Sequence, residues 1–172
     1  MNANRKLARL ADDLGQCIVL YVDRPSGCSQ LIDLLTASNK RSRQAVRLNT
    51  ILLLAWGTMK QGAIVFKEFP AAAQLLTDRL CETIYRLLGK PAEELEPFLY
   101  DRWTMFSDCW NEKDSNGLLR LSESFDATCG DLLPMASRLR QYSMNLQLHF
   151  LITNEFAAFC SAVREQMMSK FS

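Results

Sequence analysis

Histidine is nearly missing from this chain: His149 is the only one among 172 residues. That scarcity excludes most metal chemistry familiar in helical proteins. Di-metal bundles need paired Glu-x-x-His motifs and zinc peptidases need His-Glu-x-x-His, and neither pattern occurs. Also missing are a Gly-x-Ser-x-Gly elbow, a phosphate-cradling glycine loop and a dinucleotide fingerprint. No catalytic residue, cofactor or metal ion is therefore expected. With seven glycines and five prolines, no linker rich in Pro, Gly or Ser divides the chain, and no repeat or low-complexity tract does so. Residues 1–172 are expected to form a single domain.

Long apolar runs are absent too. The two longest uncharged stretches are Leu48 to Met59 and Gln141 to Asn154. The first is too short to cross a bilayer, and the second carries Gln, Asn, Ser, Thr and His. The six cysteines (Cys17, Cys28, Cys81, Cys109, Cys129, Cys160) contain no C-x-x-C pair. The segment Met1 to Asp13 is charged and lacks the apolar core of a signal peptide. Reduced thiols in a cytoplasmic protein are the simplest reading.

What remains is 48% apolar and 23% charged residues, the balance of an ordinary globular protein. The apolar positions recur mainly at helical spacing. Leu7, Leu10, Ala11, Leu14, Ile18 and Tyr21 form a stripe, although the β-branched run 17–22 has strand character. Without a second strand to pair with, it is read as helix. Ser29 begins a short helix to Leu35, broken at Ala37-Ser38-Asn39. A further helix runs from about Lys40 through Trp56, with a kink or break expected at Gly57 or Gly62. Pro70 opens the next one, and Gly89 ends it. Pro91, Glu93 and Glu94 start another, whose stripe is Leu95, Phe98, Leu99, Trp103, Phe106 and Trp110. Asp114 to Gly117 is a turn, and Leu118 to Leu132 forms one more amphipathic helix.

The last segment, Arg138 to Phe171, is the longest. Leu139, Tyr142, Leu146, His149, Thr153, Phe156, Cys160, Val163 and Met167 fall on one seam. At 1.5 Å per residue it would run roughly 50 Å, so it either bends near Asn154 or projects toward a partner. The expected fold is all-α: a single-domain bundle of six or seven helices around a long C-terminal helix.

Several residues invite a functional reading. His149 lies on the buried seam and is read as a hydrogen-bonded core residue. Cys28, beside Gly27 before a helix start, is expected in an exposed loop and is read as a plain loop residue. Most of the aromatic group around Trp103 is read as core, with Tyr100 facing outward. Charge is more telling. Residues 34–67 carry six basic side chains and no acid, whereas residues 93–131 carry ten acids and three basic side chains.

Three functions follow, in descending order of support. The first is a non-enzymatic helical protein acting by contact, as a regulator, adaptor or export chaperone, on another protein or a second copy of itself. Met167, Met168 and Phe171 would be the partner-binding residues, since methionine-rich ends make adaptable contact surfaces. The second is nucleic-acid binding through a helix-turn-helix-like segment 30–48, with Lys40, Arg41, Arg43, Gln44 and Arg47 meeting phosphates and base edges. The third is a small-ligand sensor or helical-bundle enzyme with its pocket near Trp56, Trp103 and His149.

Overall fold

The computed structural model describes residues 3–25, 28–39, 42–109 and 135–171. Its regular elements are α1 (Ala3–Asp23), α2 (Ser29–Asn39), α3 (Arg43–Val65), α4 (Pro70–Leu88), α5 (Ala92–Cys109) and α6 (Met135–Phe171). The protein is an all-α bundle, and no strand occurs among the described residues. The expected turn at Asp114 and the helix over 118–132 lie outside them.

Residues 17–22 are helical. Leu7, Leu10, Ala11, Leu14 and Ile18 are buried as their spacing predicts. The last turn of the stripe passes to Val22, leaving Tyr21 half-buried. Helix α2 does not break at Ala37 but continues to Asn39. Serine and asparagine cost a helix only a few tenths of a kcal/mol each, too little to end one by themselves. Pro70 occupies the first turn of α4, and Gly89, at φ 62°, closes its other end in the left-handed conformation.

Helix α3 is the hub, lying against α1, α2, α4, α5 and α6. Every residue from Thr50 to Thr58 is buried, so this stretch has no solvent face. Its two threonines satisfy themselves along the helix: Thr50 Oγ1 donates to the Val46 carbonyl at 2.8 Å, and Thr58 Oγ1 to that of Leu54 at 2.9 Å. Of the kink or break expected at Gly57 or Gly62, the break is not there, since α3 runs unbroken to Val65. Both glycines sit where a neighbouring helix presses in. A Cβ on Gly57 would stand 2.7 Å from the Phe156 ring, and one on Gly62 would stand 2.5 Å from Leu76 Cδ2. Tertiary contact, rather than local backbone freedom, accounts for these glycines.

Trp56 anchors the centre. Its ring stacks on Phe156 at 5.9 Å, tilts against Phe106 at 5.6 Å, and its Nε1 donates to Ser107 Oγ at 3.1 Å. Helix α6 contributes Ile152, Phe156, Phe159, Cys160, Val163 and Met167 to the core, with Thr153 only partly covered. The side chains of Leu139, Tyr142, Leu146 and His149 lie outside what the structure describes. Helix α6 continues through Asn154 as one helix to Phe171. Its C-terminal half runs antiparallel to α1. The Tyr21 hydroxyl donates to the Glu155 carboxylate, and 15 residues later Lys170 Nζ pairs with Asp13 at 2.9 Å. That pairing brings the last turn of α6 to the middle of α1.

Candidate docking groove

The basic segment is partly spent within the fold. Arg43 pairs with Asp33 of α2. Arg47 grips Asp23 with two hydrogen bonds, Nε to Oδ1 at 2.6 Å and Nη2 to Oδ2 at 2.8 Å. These bonds hold the Asp23 carboxyl below its usual range. Gln44 is exposed at the start of α3, while Lys40 and Arg41 lie outside the described residues. Two of the five residues expected to meet nucleic acid are therefore engaged with carboxylates of α1 and α2.

Cys28 is not in an exposed loop. It is buried at the junction of α1 and α2, and its carbonyl accepts from the Ile32 N–H at 2.9 Å, opening α2. Burial, with the Glu155 charge nearby, pushes its thiol up to about 12. Cys81 is raised to about 12 as well, chiefly by burial. Cys160 is buried, and among the cysteines whose side chains are described only Cys17 is exposed. Native protein treated with a thiol reagent near neutral pH should be labelled at Cys17 well before Cys28, which peptide mass mapping would read. Rapid labelling of Cys28 would mean that the α1–α2 junction opens readily.

The aromatic segment of α5 divides as its spacing predicts: Phe106 is buried, Trp103 is half-buried and Tyr100 is 75% exposed. Trp56, Lys60, Tyr100, Trp103 and Asp108 line a cleft of about 480 Å³. Lys60 Nζ stands over the Trp56 ring at 5.6 Å. This is where the small-ligand alternative placed its pocket, with the His149 side chain outside the description. Among the described residues, no group of three His, Cys, Asp or Glu side chains is placed to hold a metal ion. No helix among them is long and apolar enough to cross a membrane.

The C-terminal residues separate. Met167 is fully buried, so it is part of the core and offers nothing to a partner in the folded protein. Met168 is 54% exposed and Phe171 is 37% exposed. Phe171 packs edge-on against Phe66 with ring centroids 5.2 Å apart. Together Met168 and Phe171 form one wall of a groove of about 1010 Å³. The first turns of α1 (Ala3, Asn4, Leu7) form a second wall, and the α3–α4 corner (Val65 to Leu75) forms the third.

Phe69 is the residue that sequence reasoning passed over. It is 69% exposed in the short connection between α3 and α4, beside the groove's apolar wall. A signal was present. A residue before proline is held away from the helical region, so the Phe69-Pro70 step fixes an extended residue at a helix start. Its φ of −133° and ψ of 70° lie outside the helical region, though short of a fully extended ψ.

No protein-family model, no characterised protein and no solved structure matches this chain.

Proposed function

We propose that this protein works by holding a helical segment of another polypeptide in the groove between α1, the α3–α4 corner and the last turn of α6, acting as a regulator, adaptor or chaperone rather than as a catalyst. The observation that carries this reading is the clustering of Phe69, Met168 and Phe171, exposed, around one apolar concavity. Exposed large apolar side chains that occur singly need no explanation, but three converging on one groove do. The groove is walled by helices, as are the grooves that accept the apolar face of an amphipathic helix. Methionine suits such a wall because its unbranched thioether adapts to different side chains. The nucleic-acid alternative has less behind it, since Arg43 and Arg47 are already paired with carboxylates.

The test is affinity capture from the source cell with three proteins: wild type, Phe69→Asp and Tyr100→Asp. Phe69 lies outside the core, so both variants should fold. A polypeptide retained by wild type and by Tyr100→Asp, but reduced at least about tenfold by Phe69→Asp, is the expected result. If every captured polypeptide ignores the Phe69 substitution, the groove is not where this protein makes its contacts.

A further inference from the structure

We infer that the groove between α4 and α5 is a second docking site, one that takes a basic amphipathic helix of another polypeptide. This groove encloses about 750 Å³. Helix α4 lines it from Gln74 to Tyr85 and α5 from Ala92 to Trp103, so each wall runs roughly 16 Å, three turns of a guest helix. Leu99 is buried in it, Cys81, Tyr85 and Trp103 are half-buried, and Pro97 and Tyr100 are exposed. Four exposed carboxylates, Asp78, Glu82, Glu96 and Asp101, line the same groove, and no cation does. An apolar concavity whose own lining carries charge of one sign favours a guest of the opposite sign.

Little of that charge is spent within the fold. Arg79 pairs with Glu82 at 2.8 Å. Asp78 accepts from Gln74 Nε2 at 2.7 Å, and a neutral amide leaves its charge standing. Glu96 and Asp101 form no ion pair among the described residues. The remaining cations of α4, α5 and the turn between them are engaged elsewhere. Arg86 stands 3.8 Å from Asp12, Lys90 pairs with Glu94 at 3.0 Å, and Arg102 donates to Asn49 of α3 at 3.2 Å. The C-terminus of α4 and the N-terminus of α5 meet at one end of the groove, so their dipoles offset and the side chains set the sign. The carboxylates converge on the groove's interior: burial raises the Cys81 thiol most, and the Asp78, Glu96 and Glu82 charges all push it the same way.

Other occupants fit less well. Among the described residues no three ligating side chains are placed to hold a metal ion. A small polyamine would answer the carboxylates but leave Tyr85, Tyr100 and Trp103 uncovered. A second copy of this chain offers exposed cations at Arg5, Lys6 and Arg9, yet the apolar side of that helix is already in its own core. A two-fold pairing of the groove with itself would set acid against acid. Nucleic acid and anionic lipid carry the wrong sign.

The experiment uses the full chain carrying Phe69→Ser, which removes the exposed ring of the other groove without adding charge. Three fluorescein-labelled model helices about four turns long share their Leu and Phe positions and carry Lys, Gln or Glu on the outer face. Anisotropy at about 50 mM salt should show the Lys helix binding at least about tenfold tighter than the Gln helix, with the Glu helix weakest. That preference should shrink at about 0.5 M salt. Adding Glu96→Gln/Asp101→Asn, at two exposed positions, should weaken the Lys helix at least about fivefold and spare the Gln helix. Tyr100→Ala should weaken both. Binding of none of the helices, equal binding of the Lys and Gln helices, or a preference that survives Glu96→Gln/Asp101→Asn would overturn the inference. So would spermine held as tightly as the Lys helix in calorimetry, or a sedimenting dimer dispersed by the double substitution. None of these results bears on the groove beside α6, whose own test is the Phe69→Asp capture.

Discussion

Replacing Trp56 with alanine is expected to lower the unfolding free energy by about 3–5 kcal/mol, the range for deleting a large aromatic side chain from a packed core. Trp56 sits on the helix that touches five others, between Phe106 of α5 and Phe156 of α6. Removing the indole would leave a void walled by two rings held in separate helices. Those rings could not close it without moving α5 or α6 against α3. The bond from Nε1 to Ser107 is a minor part of the loss, because Ser107 is exposed and can turn to water. Denaturant unfolding followed by circular dichroism would measure the change. Trp56→Phe keeps most of the volume and should lose distinctly less. An alanine variant within 1 kcal/mol of wild type, by contrast, would mean that the three rings are not packed as described.

The second prediction concerns two glycines on one helix whose substitutions should differ. Gly57→Ala is expected to destabilise the protein by about 1–3 kcal/mol, even though alanine is the better helix former by about 1 kcal/mol. The new methyl would meet Phe156 Cε2 at 2.7 Å, Cys160 Sγ at 2.9 Å and Phe156 Cζ at 2.9 Å. These are core side chains of α6, so relief requires the helices to part. Gly62→Ala meets only Leu76 Cδ2 closely, at 2.5 Å, and its next neighbour is 3.9 Å away. A leucine tip can rotate, and the gain in helix propensity offsets that adjustment. This variant should stay within about 1 kcal/mol of wild type. Thermal melts of the pair would separate the two outcomes, and equal losses would argue against close helix contact as the reason for Gly57.

These glycines also mark the boundary of what the sequence can reveal. Helix boundaries were legible where local chemistry sets them: Pro70 opens α4, and Gly89 closes it because few other residues adopt its backbone conformation. The buried face of α1 was legible because apolar residues recur on one side of it. Gly57 looked like a break because its cost to the helix is local, while the ring that demands it stands ninety-nine residues away at Phe156. Cys28 looked exposed because it follows Gly27; its burial comes from α1 and α2 closing over it. The groove was half legible. Met168 and Phe171 were singled out as apolar residues late in the chain, but Met167 points the other way, and a helical tail with no second element in view does not say which side is in. Phe69 became conspicuous only once α1 and α6 had been placed beside it.

The antiparallel pairing of α1 with α6 has a consequence for biogenesis. One wall of the groove is made by residues 3–7 and another by residues 168–171. A ribosome making this chain exposes the first set early and the second only after almost everything described here has been synthesised. Nascent chains and fragments that stop short of α6 would thus present Leu7 without the surface it helps to build. The docking proposed above at this groove would therefore require the final turn of α6, and a fragment that ends before it should not bind.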